Sequence, residues 1–141
     1  MAKSFHLEIV TPERVVYSGE VVSLSAPGVL GGFQVLAGHA PMLAQIGVGV
    51  LKVVFPNGVQ RYFATSGGFV EVKGPRVVVL AETAEAAEEI DVRRAQAAFD
   101  RAQRRLKEDG PDVDRVRAQA ALARAQNRLR VAHLEGQQNQ T

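Results

Sequence analysis

Cysteine and tryptophan are both absent from the 141 residues. Without cysteine there is no disulfide framework and no thiolate metal site. His6, His39 and His133 stand far apart, so the sequence gives no support to a histidine metal cluster either. Aromatic residues are only 6% of the chain, and Phe99 is the lone one in the last fifty or so residues, so interleaved base-stacking side chains are missing. Long hydrophobic runs are also missing. The longest apolar stretch, 46–55, carries Lys52 and is far too short to cross a bilayer. No charged N-terminal segment leads into an apolar core with a cleavage site, so no signal peptide is expected. There is no Gly-x-Ser-x-Gly and no nucleophile–base pairing. Gly28, Gly31 and Gly32 join β-like segments and are not followed by Gly-Lys-Ser/Thr, so they read as turn glycines and not as a phosphate cradle.

What is present describes a folded protein: 46% hydrophobic and 23% charged residues. The net charge of +2 conceals two unlike halves. Residues 1–89 carry six basic and eight acidic side chains, a balance of −2; residues 90–141 carry eleven basic and seven acidic, a balance of +4. Ten of those eleven are arginine, whose planar fork pairs two oxygens at once. An Arg-dominated half points to an anionic partner, with a solvated helix face as the alternative.

The first half reads as strand. Phe5 to Val10 alternates apolar and polar residues, as a half-buried strand does. Further β-like segments cover 14–17, 20–26, 33–36, 46–55, 59–64, 69–72 and 76–81, separated by turns at Pro12, Gly19, Pro27-Gly28, Ala37 to Pro41, Asn57-Gly58, Ser66-Gly67-Gly68 and Gly74-Pro75. Gly47 and Gly49 inside the longest run predict a bulge or a close backbone approach. Eight or nine short strands predict an all-β N-terminal domain, an antiparallel β-sandwich or flattened barrel. His6 reads as a surface residue, and His39 as a residue that bonds the backbone of its own loop.

The second half reads as two helices. Residues 82–89 form an acidic connector, and Asp91 stands at an N-cap position before helix formers. Ala95, Phe99, Ala102 and Leu106 share one helical stripe, as do Ala118, Leu122, Ala125, Leu129 and Ala132. Gly110-Pro111 stops the first helix, and Asp112 or Asp114 can cap the second. A turn this short predicts an antiparallel helical hairpin. Its seam is mostly Ala. A buried methyl contributes about 0.8 kcal/mol, against about 1.5–3 for a buried Leu or Ile, so the hairpin closes tightly but weakly. Arg94, Arg101 and Arg105, and Arg117, Arg124 and Arg128, repeat a seven-and-four spacing on their helices. Folded back, Arg94 and Arg101 would lie opposite Arg124 and Arg128, and four guanidinium groups together call for a bridging anion such as a polyphosphate, or for an acidic protein surface. Expected boundaries are a sandwich domain over 1–86, a hairpin over 87–134 and a disordered tail over 135–141.

Five segments in order carry a resemblance: Leu7-Glu8-Ile9-Val10-Thr11-Pro12-Glu13, Gly38-His39-Ala40-Pro41, Ser66-Gly67-Gly68-Phe69-Val70-Glu71-Val72, Val79-Leu80-Ala81-Glu82-Thr83-Ala84 and Ile90-Asp91-Val92-Arg93-Arg94-Ala95. Over nearly its full length the chain resembles the epsilon-subunit family of bacterial F-type (proton-translocating) ATP synthases. The resemblance implies a non-catalytic rotor subunit in the central stalk. Its sandwich would contact the gamma subunit and the membrane c-ring, and its mobile hairpin would reach the alpha and beta catalytic subunits and restrain ATP hydrolysis. It places the protein peripherally on the cytoplasmic face of the cell inner membrane, held through the complex, with no nucleic acid bound and no cofactor required. It implies ATP as a regulatory ligand that stabilises the folded hairpin, with Glu85, Asp91 and Arg94 toward the base and ribose, Arg101, Arg124 and Arg128 toward the phosphates, and Ile90 and Ala95 completing the site's motif. It assigns Gly31, Gly32, Phe33 and His39 to a loop facing the ring, although Gln34 and Ala37 stand where the family has Gly and Pro. An Arg-rich nucleic-acid module is the alternative, and a small hydrolase on a sandwich a third reading without a catalytic constellation to carry it.

Overall fold

A computed structural model describes residues 3–108, 110 and 113–138. Eight strands are followed by a 3-10 turn and two helices: β1 Phe5–Val10, β2 Val15–Val21, β3 Ser23–Ala26, β4 Phe33–Leu36, β5 Met42–Ile46, β6 Gly49–Val54, β7 Gln60–Lys73, β8 Arg76–Ala86, the turn Ala87–Glu89, α1 Val92–Lys107 and α2 Arg115–Gln138. The strands run in the order β2-β1-β8-β7-β6-β3-β4, with β5 also on β7. Long β7 serves two layers. Its first half pairs with β6 from Gly49↔Thr65 to Val54↔Gln60, and its second half with β5 from Ile46↔Gly68 to Met42↔Val72.

Glycine makes that change of partner possible. The β7–β8 register shifts between Thr65 and Gly68, and Gly67 and Gly68 take φ of +130° and +141°. A Cβ on Gly68 would lie 2.0 Å from the Leu80 carbonyl oxygen, a contact that no side chain survives. Ser66-Gly67-Gly68, expected as a turn, is therefore a bulge within one continuous strand, because partners on both edges keep the ladder intact where the local signal says stop. Gly49 is the close approach its position predicts: a Cβ there would meet Pro27 Cβ at 2.5 Å.

Three other expectations change. The acidic connector at 82–89 is the end of β8 and the 3-10 turn, since pairing with β7 continues to Phe63↔Ala86. β5 begins at Met42, in a segment whose one β-branched residue, Ile46, stands at its far end. The sandwich is antiparallel except for one pair, β1 with β8, which runs parallel from His6↔Arg76 to Val10↔Leu80.

Alternate residues of β1 and β6 are buried, and Leu7, Ile9, Leu24, Leu51, Val53, Phe63, Val70 and Val79 form the centre of the core at zero exposure. Tyr17 tilts against Phe55 and Phe63 at centroid distances of 5.8 and 6.3 Å. The helices fold back on one another, with Arg105 of α1 and Asp114 at the start of α2 on one cleft and Ala98 beside Ala121 and Ala125 further along. A second, smaller apolar cluster seats them on the sandwich: Ala64, Ala87, Ile90, Ala95 and Val131, flanked by Val50, Tyr62, Leu129 and Ala132. α2 runs to Gln138, past the position where a tail was expected to begin; 139–141 lie outside the described residues.

Candidate functional site

The residues of 90–95 each have a local reason to be there. Ile90 is buried in the cluster under the hairpin. Asp91 is the N-cap of α1, its Oδ1 accepting from the Arg94 backbone N–H at 3.1 Å. Ala95, at zero exposure, lets α1 lie close to its neighbours. The Arg94 side chain is exposed and lines neither of the cavities described below. Asp114 caps α2 in the same manner, with its Oδ1 3.0 Å from the Arg117 backbone nitrogen; Asp112, the other expected cap, lies outside the described residues.

Ion pairs tie the segment 85–89 to both sides. Arg128 on α2 grips Glu85 on β8 with two bonds, Nε to Oε1 at 2.8 Å and Nη2 to Oε2 at 3.2 Å. This fork geometry is the strongest form of the Arg–carboxylate pair, and both side chains are about two-thirds buried. Arg61 on β7 donates from Nε to Glu88 Oε1 at 2.9 Å, and Arg14 to Glu89 at 3.2 Å. These exposed pairs contribute little stability but fix where the hairpin leaves the sandwich. Sequence reasoning missed Asn127 altogether. It is buried in α2 and donates from Nδ2 to the Gly49 carbonyl at 2.6 Å, while Arg130 donates to its Oδ1 at 3.0 Å. A polar residue inside a polar helix carries no periodic signal of burial.

Two adjoining cavities lie along the hairpin. The first, about 540 Å³, is walled by β7, β8, the Thr11–Arg14 turn, Ala98, Ala121 and α2. Glu85, Arg124 and Arg128, expected at opposite ends of a ligand, line it together, and Arg14, Glu13, Glu82 and Glu89 also line it. Its charged groups are three arginines and four carboxylates, so it is slightly acidic. The second, about 640 Å³, lies between α1 and α2 and shares Ala98 and Ala121 with the first. Arg101, Arg105 and Arg117 line it with Asp114. The expected group of four arginines is thus divided: Arg124 and Arg128 on one cavity, Arg101 on the next, Arg94 on neither.

In the loop 31–39, Gly31 and Gly32 are exposed, and Gly31 has φ +131°. Phe33 opens β4 and packs on the core. His39 bonds its own loop, as expected, through Nδ1 and the Ala40 carbonyl oxygen 2.7 Å apart. The neighbouring Leu30 is fully exposed and Val29 about half exposed, an apolar tip that the glycines on either side drew attention away from. Among the described residues no group of three or more His, Cys, Asp or Glu gathers as a metal site. Among the described residues no helix is long and apolar enough to cross a membrane.

The fold defines a two-part class, a β-sandwich carrying a docked helical hairpin. Both parts match one family. Residues 4–87 match the ATP synthase delta/epsilon chain β-sandwich domain, and residues 88–133 its long α-helix domain. The chain belongs to the delta/epsilon chain family of ATP synthases. Among its relatives are the ATP synthase epsilon chain of Desulforamulus reducens, 49% identical over 112 residues covering 79% of this chain and 84% of that one, and that of Carboxydothermus hydrogenoformans, 49% identical over 106 residues covering 75% and 78%. The solved OSCP/F1/c-ring of the Euglena gracilis mitochondrial ATP synthase contains a chain that superposes with a TM-score of 0.77 at 24% identity, covering 88% of this chain and 78% of that one. A chain of the Tetrahymena thermophila central stalk/c-ring superposes at 0.59 with 12% identity, covering 93% and 98%. At these identities the likeness concerns the fold.

Proposed function

We propose that this chain is a central-stalk subunit of an F-type ATP synthase, without catalytic activity of its own, whose hairpin senses ATP. The sandwich serves as the fixed part, docked on a gamma subunit and, through the loop 31–39 and the neighbouring apolar Val29-Leu30 tip, on the c-ring. The complex holds it peripherally at the cytoplasmic face of the inner membrane. The hairpin serves as the movable part. Folded, it lies on β6 and β7 over a small Ala-rich contact; released, it extends toward the alpha and beta subunits and restrains ATP hydrolysis.

The single observation that carries the sensing role is the pair of adjoining cavities, one walled by both helices and the sandwich and the other by the two helices. A ligand spanning them binds the folded form and not the extended one, so it shifts the equilibrium toward folding by its own binding free energy. Glu85 and Glu82 line the acidic cavity and suit the hydroxyl and amino donors of a nucleoside; Arg124, on that same cavity, and Arg101, on the basic one, suit phosphates. Arg94 reaches neither cavity here, so its role requires a side-chain movement on binding. The test is calorimetric titration of the isolated chain with ATP, beside Arg124→Ala and Arg94→Ala. Saturable binding without turnover, weakened in Arg124→Ala, supports the reading. Absence of binding at millimolar ATP removes the sensing role and leaves the arginines to acidic protein surfaces.

A further inference from the structure

We propose that Arg115 is a clasp. From the start of α2 it caps the C-terminus of α1, so that opening the hairpin at its turn is a step distinct from lifting the hairpin off the sandwich. The proposal goes beyond nucleotide sensing and holds with or without a ligand in the cavities.

The hairpin has a root and a tip. At the root, Ala95, Leu129, Val131 and Ala132 sit in the apolar cluster on the sandwich, Asn127 donates to the Gly49 carbonyl and Arg128 to Glu85. The tip has little of this. Among the described residues from 101 to 121 only Ala102 and Ala118 are buried; Leu106 and Val113 are half-buried, and Val116 is 78% exposed. Two buried methyl groups contribute little to keeping two helix ends together.

α1 also ends abruptly. Its last residue is Lys107, and Glu108 is already extended at φ −75° and ψ 140°, with its N–H turned back to the Arg105 carbonyl. Gly110, the expected stop, stands two positions further on. The last carbonyls of a helix have no partner within it and form the negative end of its dipole. Arg115 supplies a partner from the other helix: Nη1 donates to the Leu106 carbonyl at 2.8 Å and Nη2 to the Glu108 carbonyl at 3.0 Å. Its planar fork reaches both at once, and its charge suits that end of α1.

By the local rule the same arginine is misplaced. It is the first residue of α2, at the positive end of that helix's dipole, where a cation is unfavourable. Its local and its tertiary effects therefore differ in sign. Separating the helices at the tip breaks both Arg115 bonds and uncaps the last turn of α1. Lifting the closed pair off the sandwich breaks Asn127–Gly49 and Arg128–Glu85 and leaves the clasp intact.

The experiment is hydrogen exchange by mass spectrometry on the full chain without nucleotide, beside Arg115→Gln and Arg115→Lys. Arg115→Gln should speed exchange about three- to tenfold over 102–108 and over 116–121, since two charge-assisted bonds are lost at an exposed site. Exchange over 125–134 and 60–80 should stay as it is. Arg115→Lys keeps the charge without the fork, and a smaller change in the same direction is expected. Unchanged or slower exchange over 102–108 in Arg115→Gln, the result if the dipole rule alone governs, overturns the proposal. So does an increase confined to 116–121, which would make the effect local to α2, or an equal increase over 125–134, which would make undocking and opening one step.

Discussion

The sandwich and the hairpin are built from the same alphabet and held by opposite means. The sandwich core buries Leu, Ile, Val and Phe at zero exposure and closes a continuous ladder of strands around them. The hairpin is attached through Ala64, Ala87, Ile90, Ala95 and Val131, three of them alanine, and through ion pairs at its root. At about 1.5–3 kcal/mol for each large buried side chain against about 0.8 for a methyl, each contact in the first region contributes more than each contact that holds the second to it. The proposed division into a fixed and a movable part rests on that inequality.

The comparison can be broken most violently in the core. Phe63→Ala should cost about 3–5 kcal/mol in urea unfolding, because the ring is fully buried and a cavity would remain under Tyr17. If the hairpin is a separate cooperative unit, its equivalent change should leave the sandwich standing. Ala95→Leu overpacks a position at zero exposure and should cost about 1–3 kcal/mol. Its signature in hydrogen exchange is lost protection over 115–134 with protection over 60–80 retained. A global loss at both would show the two regions to be one unit.

A smaller effect is expected at the seam. Asn127→Leu leaves the buried Gly49 carbonyl without its donor, at a cost of about 1–2 kcal/mol. The accompanying release of α2 should be visible as increased exchange at α2 before any change at β7. The smallest effect belongs to the sandwich alone. Burial raises the pKa of Tyr17 above its ordinary value of 10.0, with Arg61 opposing and Glu20 assisting. The unfolded chain therefore ionises first. The contribution of Tyr17 is intact below about pH 10 and is lost as pH climbs through the folded value. Tyr17→Phe should flatten that alkaline decline and leave neutral stability nearly unchanged; a decline of unaltered steepness would place its cause elsewhere.

Legibility followed the range of the forces involved. Caps were readable because Asp91 and Asp114 act on a backbone N–H three residues away. Gly49 was readable because a glycine within a strand run has few other reasons to exist. β5 and the continuity of β7 were not, since Met42–Ile46 and Ser66-Gly67-Gly68 take their conformation from partners far along the chain. The buried face of α2 was only half readable: Ala118 and Ala125 follow the stripe, but Val131 and Asn127 lie off it because α2 packs against α1 and the sandwich at once, and a single stripe describes only one neighbour. Of the candidate site, Glu85 and Arg128 pair with each other although they were expected at opposite ends of a ligand, Arg94 stays apart, and Arg105 and Arg117 join Arg101.

By itself the sequence determined the succession of a β half and a helical half, the Ala-rich seam and the concentration of arginine in the second half, since these depend on side-chain type and local spacing. Only the tertiary structure decided which arginines are spent on carboxylates and which remain available for a ligand. Ion pairing depends on distance through space between β8, α1 and α2, and the packing of those elements sets that distance.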